Sequence, residues 1–139
     1  MKPLKRSISL VIEGPAGTLL VRRPDDDDSL PGLWGLPAAS LREGESEREA
    51  LLRVGRDKLG VEVEPLEPIG EDEAERDDHR IEMRDWSARI AAGAPAVPQP
   101  GEGTQYVEWR WGEPNELAPA ARAGSLCARA LLRSVGCPW

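Results

Sequence analysis

The stretch Trp34-Gly35-Leu36-Pro37-Ala38-Ala39-Ser40-Leu41-Arg42-Glu43-Gly44-Glu45-Ser46, continued by Glu47 to Val61, decides the fold. A short apolar extended run, Leu33 to Pro37, leads into a loop over Ala38 to Gly44, and a helix begins abruptly behind it. Ser46 and Glu49 have the spacing of a capping box, in which the serine oxygen accepts a first-turn N–H and the glutamate accepts the serine's own. Glu47 and Glu49 stand in the first turn, Arg56 and Lys58 near the end, which is the charge order a helix dipole favours. Leu51, Val54 and Lys58 form one row on the helix; Leu52, Gly55 and Leu59 form its more apolar neighbour. Gly60 is a natural stop.

On the N-terminal side, Ser7 to Ile12 is β-branched and apolar, as a buried strand should be. Gly14-Pro15-Ala16-Gly17 is a turn, and Thr18 to Arg22 is a second strand, so the pair predicts a hairpin. Pro24 to Gly32 is a loop carrying four consecutive aspartates, Asp25 to Asp28. On the C-terminal side, Val61 to Glu64 alternates like a strand, and Pro65 to Asp78 reads as irregular and very acidic. His79 to Ile90 alternates again, with a slip near Asp85 that suggests a bulge. Ala91 to Gly103 is a loop or flap rich in Pro, Gly and Ala, Thr104 to Trp111 a strand, and Pro119 to Val135 a second amphipathic helix. The order β-β-β-α-β-β-β-α predicts an α/β sandwich with a mixed sheet, one domain over residues 1–139.

The chain has 139 residues, 40% of them hydrophobic and 31% charged, which suits a globular protein with one real core. No apolar run reaches the ~18–20 residues that span a bilayer. The basic start, Met1 to Arg6, leads into a strand and not a leader segment, so the cytoplasm is the expected compartment. A formal net charge of −7 argues against duplex nucleic acid, where lysines and arginines must replace phosphate counterions. It leaves open a phosphorylated small molecule. Cys127 and Cys137 lack metal-ligand spacing and read as two reduced thiols. The single histidine, His79, gives a catalytic triad little to work with.

Ala39, Glu45, Arg53 and the closing Gly60-Val61 keep, without a gap, the spacing of a Nudix box: Gly, five residues, Glu, seven residues, Arg-Glu-apolar-x-Glu-Glu-x-Gly-apolar. Val21-Arg22-Arg23-Pro24 looks like the strand before the family's loop. Glu108-Trp109-Arg110-Trp111 with Glu116-Leu117 resembles its late strand and turn. The chain therefore resembles the Nudix family over nearly its whole length. That resemblance implies a Nudix-type α/β/α sandwich and hydrolysis of a nucleoside diphosphate derivative. It also implies Mg²⁺ or Mn²⁺, which neutralises phosphate oxygens and acidifies a water. The departures fall on the chemistry. Ala38 and Ala39 replace two loop glycines, Gly55 the apolar helix position, and Val54, Asp57 and Lys58 the three glutamates. Positions 54, 57 and 58 project from one helical face, where three negative charges have become none net. At ~5 Å and an effective dielectric of ~20, each unit charge interacts with Mg²⁺ by roughly 6–7 kcal/mol before desolvation and screening. The usual multi-metal cluster is not expected in its usual place.

What the resemblance assigns is then limited. Glu45, Asp57 and Arg53 are the catalytic candidates, and Asp57, Glu45 and Ala38 the metal-binding positions. Trp34 is a stacking or pocket-floor candidate, and Arg56 and Lys58 are substrate contacts, Lys58 as a point charge on phosphate. Arg53 fits structural support of the loop, through an acid, better than substrate contact. Glu45 stays open between metal ligand and partner of Arg53. Acids outside the helix, Glu43 and the run Glu71 to Asp78, are further ligand candidates; Asp25 to Asp28 read as solvated. The leading expectation is a hydrolase with an altered, weakened metal site. The alternative is a catalytically silent domain that binds a nucleotide or a protein. A homodimer is compatible with the tryptophans.

Overall fold

The computed structural model describes residues 2–97 and 106–139. Strand β1 (Leu4–Gly14) is the spine of a mixed sheet. Its side chains alternate: Ile8, Leu10 and Ile12 join one core cluster, and Val11 the other. It turns tightly into β2 (Gly17–Arg22), where Gly17 has φ 126° and a Cβ would fall 2.5 Å from the Gly112 carbonyl oxygen. Glycine is required there on both counts. Along one edge β1 runs parallel to β6 (Arg80–Ala92), and along the other it pairs antiparallel with β4 (Ala38–Ser40) and then β2. Strand β5 (Glu62–Glu75) pairs with β6, while β2 also carries β3 (Trp34–Gly35) and β7 (Glu108–Gly112).

Helix α1 (Glu47–Leu59) covers one face, burying Ala50, Leu51, Val54 and Leu59 against Ile8, Leu10, Ile12, Leu19 and Val21. Helices α2 (Ala118–Arg122) and α3 (Leu126–Ser134) cover the other face with Ala120, Ala121, Leu131 and Leu132. The result is an α/β/α sandwich, as expected. Both halves of the α1 capping box form, and Gly60 closes the helix in the left-handed region at φ 67°. Among the described residues no helix is long and apolar enough to cross a membrane.

Several local expectations need correction or refinement. The Pro65–Asp78 segment is no irregular stretch: β5 runs through Glu75. It pairs on one side only, with β6, and an edge strand tolerates Pro65 and Pro68 because a missing N–H can face outward. The bulge near Asp85 exists, but the extra residue is Ile69 on the partner strand, between Pro68 opposite Trp86 and Gly70 opposite Asp85. Ala38 to Ser40 is a strand, not loop. The last helix is two, because Gly124 adopts φ 105° and Ser125 caps α3 afresh, its Oγ accepting the Ala128 N–H. Ala91 and Ala92 belong to β6, and the late strand begins at Glu108. Residues 98–105, which hold the second part of the expected flap and the start of the strand expected from Thr104, lie outside the described residues.

Candidate functional site

Strand β4 and the middle of α1 face each other across the loop that joins them, and three polar contacts fix their spacing. Arg53 donates from Nε and Nη2 to the two carboxylate oxygens of Glu45, each at 2.9 Å, and from Nη2 to the Ser40 carbonyl at 2.9 Å. Glu45 also accepts the Arg42 backbone N–H at 2.9 Å. The guanidinium, with that N–H, holds the Glu45 carboxyl down to about 2. One turn further along α1, the Lys58 ammonium donates to the Ala38 carbonyl oxygen at 2.8 Å and lies 5.2 Å from the Tyr106 ring centroid. Burial lowers Lys58 to about 8; the neighbouring Arg23 and Arg53 push the same way, and Asp57 opposes them.

The rest of that helical face is divided. Val54 is fully buried in the core beneath the sheet. Asp57 and Arg56 are exposed. Tyr106, the only tyrosine, is buried; its hydroxyl accepts the Ala38 N–H at 3.1 Å and donates to the Leu36 carbonyl at 3.5 Å. Burial raises its phenol to about 12. The β3–β4 segment is thus held by a phenol on its N–H and an ammonium on its carbonyl. Neither Tyr106 nor Arg23 was singled out from the sequence. The signal for Tyr106 was its isolation beside a Gly- and Pro-rich stretch. Arg23 reaches Asp27 at 3.3 Å, and Asp27 accepts the N–H groups of Ser29 and Leu30. These donors and Arg23 outweigh the burial that would raise Asp27, leaving it below the usual carboxylate range. One of the four loop aspartates is therefore a turn-former and not merely solvated.

Glu45, Arg53, Ala38 and Lys58 are brought together, with Asp57 at the rim. Trp34 is not part of that group: it packs with the cluster on the α2–α3 side, and the Arg110 guanidinium covers its ring at 4.4 Å. The acidic run is also remote. Glu71, Asp72 and Glu73 line a cavity of about 330 Å³ with Arg6, Glu47 and Arg84. Glu47 opens α1, so at 1.5 Å per residue this cavity lies ~15 Å along the helix from Asp57. Glu71 pairs with Arg84, and Asp72 with Arg133.

A divalent cation of the Mg²⁺ kind needs several oxygen ligands converging at roughly 2.0–2.1 Å, usually one or two carboxylates and waters. Among the described residues no three His, Cys, Asp or Glu side chains are grouped to hold one. Among the described residues Asp57 is a lone carboxylate, Glu45 is taken by Arg53 and Arg42, and the Ala38 carbonyl already faces a cation. The described residues do not fit a multi-metal centre.

A family model described as the NUDIX domain matches residues 3–132. A CTP pyrophosphohydrolase of Escherichia coli (strain K12) is 30% identical over 79 residues, which is 57% of this chain and 58% of that relative's length. Among solved structures, a NUDIX hydrolase from Nitrosomonas europaea superposes with a TM-score of 0.75 at 20% identity, over 97% of this chain and 89% of the other. The solution structure of the E. coli ORF135 protein gives 0.71 at 24% identity, over 96% and 94%. At such identities these structures speak to the fold alone.

Proposed function

The chain belongs to the Nudix family, and from that premise we propose that it binds a nucleoside diphosphate derivative where β4 meets α1, without the family's multi-metal hydrolytic centre. One observation carries this reading. The helical face that would grip metal offers a buried isopropyl at Val54, a single exposed carboxylate at Asp57, and an inward-turned ammonium at Lys58. Hydrolysis of a diphosphate needs its charge neutralised and a water acidified, and metal ions normally supply both. A binding or sensing role needs only the first.

Nucleoside di- and triphosphates and sugar-linked diphosphates, titrated calorimetrically and then followed for products with Mg²⁺ or Mn²⁺, test it. Tight binding of at least one member without turnover is expected. Turnover at ordinary enzymatic rates, roughly 1 s⁻¹ or above, would overturn it.

A second reading, a weakened hydrolase requiring Mg²⁺ or Mn²⁺, is favoured by the similarity to the E. coli CTP pyrophosphohydrolase. Under it CTP is the first substrate to try, Asp57 and Glu45 are the metal ligands or base, and Arg53 organises the loop. Asp57→Asn would then abolish metal-dependent turnover.

A further inference from the structure

Burial, Arg23 and Arg53 disfavour the Lys58 ammonium, and three neighbours partly compensate it. A carbonyl oxygen sits 2.8 Å away, an aromatic face lies beneath it, and the carboxylate of the preceding residue is near enough to raise its pKa. An ammonium carries three N–H donors. One is used on Ala38, and among the described residues nothing else takes its remaining donors. Arg53 is paired with Glu45 and Arg23 with Asp27, yet both arginines still push the Lys58 pKa down, and an anion at the ammonium would relieve that repulsion. Three glutamates in the same place would repel a diphosphate unless a metal intervened; Val54, Asp57 and Lys58 do not.

Resting on the binding function proposed above, we propose that the Lys58 ammonium takes the place of the divalent cation, so that the domain holds its ligand's diphosphate by direct charge pairing and needs no metal to do so. The Ala38 carbonyl and the Tyr106 ring fix the ammonium between α1 and β4. Tyr106 in turn fixes the segment that supplies that carbonyl, through the Ala38 N–H and the Leu36 carbonyl. The ligand class is a diphosphate ester, two linked phosphates presenting non-bridging oxygens to a point charge.

Calorimetric titration of the full chain with ADP, run in excess EDTA and again in excess Mg²⁺, tests this without any variant. Affinities within about threefold of each other are expected. Lys58→Met should weaken ADP in EDTA by about tenfold or more, the scale of one lost charge-assisted hydrogen bond. Lys58→Glu should make binding depend on Mg²⁺. Thermal melts confirm that each variant is folded, and the two wild-type titrations decide if either is not. ADP bound only with Mg²⁺ would overturn the metal-free site and leave the binding function standing. Unchanged affinity in folded Lys58→Met would overturn the role of Lys58 alone. No binding by any nucleotide diphosphate, with or without Mg²⁺, would instead remove the binding function on which the site rests.

Discussion

Arg53 and Glu45 form a two-pronged ion pair, Nε to Oε2 and Nη2 to Oε1, with only 14% and 12% of their side-chain surfaces exposed. Because Nη2 also reaches the Ser40 carbonyl, one guanidinium ties the end of β4, the close of the loop and the middle of α1. The pair holds Ser40, two residues past the Ala38 carbonyl that Tyr106 positions and that Lys58 reaches one turn further along the helix.

Lysine has the charge but not the planar fork, so Arg53→Lys should destabilise the fold by ~1–2 kcal/mol, a figure kept small because the pair is partly screened by solvent. The pH dependence has a definite sign. Glu45 titrates near 2 in the folded chain against an ordinary 4.5. Its contribution is therefore complete above about pH 4.5 and disappears as pH falls toward 2. Urea midpoints at pH 7 and pH 3 check both points. The gap between wild type and variant should narrow in acid, and equal midpoints at pH 7 would remove the tie from the account.

Asp85 is fully buried on β6, its Oδ1 accepting the Ser9 hydroxyl at 2.6 Å, and among the described residues Oδ2 has no partner. Burial raises its carboxyl to about 8, with Asp72 adding to the rise and Ser9 opposing it. Between its ordinary value near 4 and about 8, the folded chain keeps a proton that the unfolded chain has lost. Stability must fall as pH rises through that window. Asp85→Asn should abolish this loss and be more stable than wild type at pH 8, by roughly 2–4 kcal/mol. A variant as pH-sensitive as wild type between pH 5 and 8 would clear Asp85 of the effect.

The α1 start and stop were legible because Ser46, Glu49 and Gly60 act through neighbours a few residues away. The box spacing likewise set the register that puts Lys58 over Ala38. Beyond Glu64, strand β5 was not legible, since its acids and prolines look like loop until β6 supplies the pairing. The break before α3 was signalled by Gly124-Ser125 but hidden by apolar residues on both sides. At the site, the Arg53–Glu45 pair was one of the two roles that the family resemblance left open for Glu45. Tyr106 was beyond reach, because its contacts with Leu36 and Ala38 span about seventy residues and are created only by tertiary packing.

Gly55 departs from the box, and packing explains it. A Cβ there would lie 3.0 and 3.1 Å from the two Val63 methyls and 3.2 Å from the Val61 carbonyl oxygen, so the bare helix backbone sits against β5. Alanine's helix propensity, worth ~1 kcal/mol over glycine, is offset by that contact. Gly55→Leu, the apolar residue the box would suggest, should destabilise by ~1–3 kcal/mol through overpacking. Chemical denaturation measures it, and a neutral or stabilising leucine would mean that α1 can move away from β5.

Lys58 should weaken the fold that holds it. Burial brings the ammonium from 10.5 to about 8, with Arg23 and Arg53 helping and Asp57 resisting. Between pH 8 and 10.5 the unfolded chain binds a proton that the folded chain does not, so this group's contribution rises with pH across that window. Below pH 8 the full penalty of holding a charged ammonium indoors applies. Lys58→Met removes the penalty but leaves the Ala38 carbonyl without its donor, a loss of ~1 kcal/mol. The balance predicts a variant ~1–2 kcal/mol more stable than wild type at pH 7, with the advantage shrinking toward pH 10. Urea titrations at the two pH values decide it. A methionine variant less stable at pH 7 would make Lys58 a structural strut between α1 and β4, because its bond to Ala38 would then outweigh the burial of its charge.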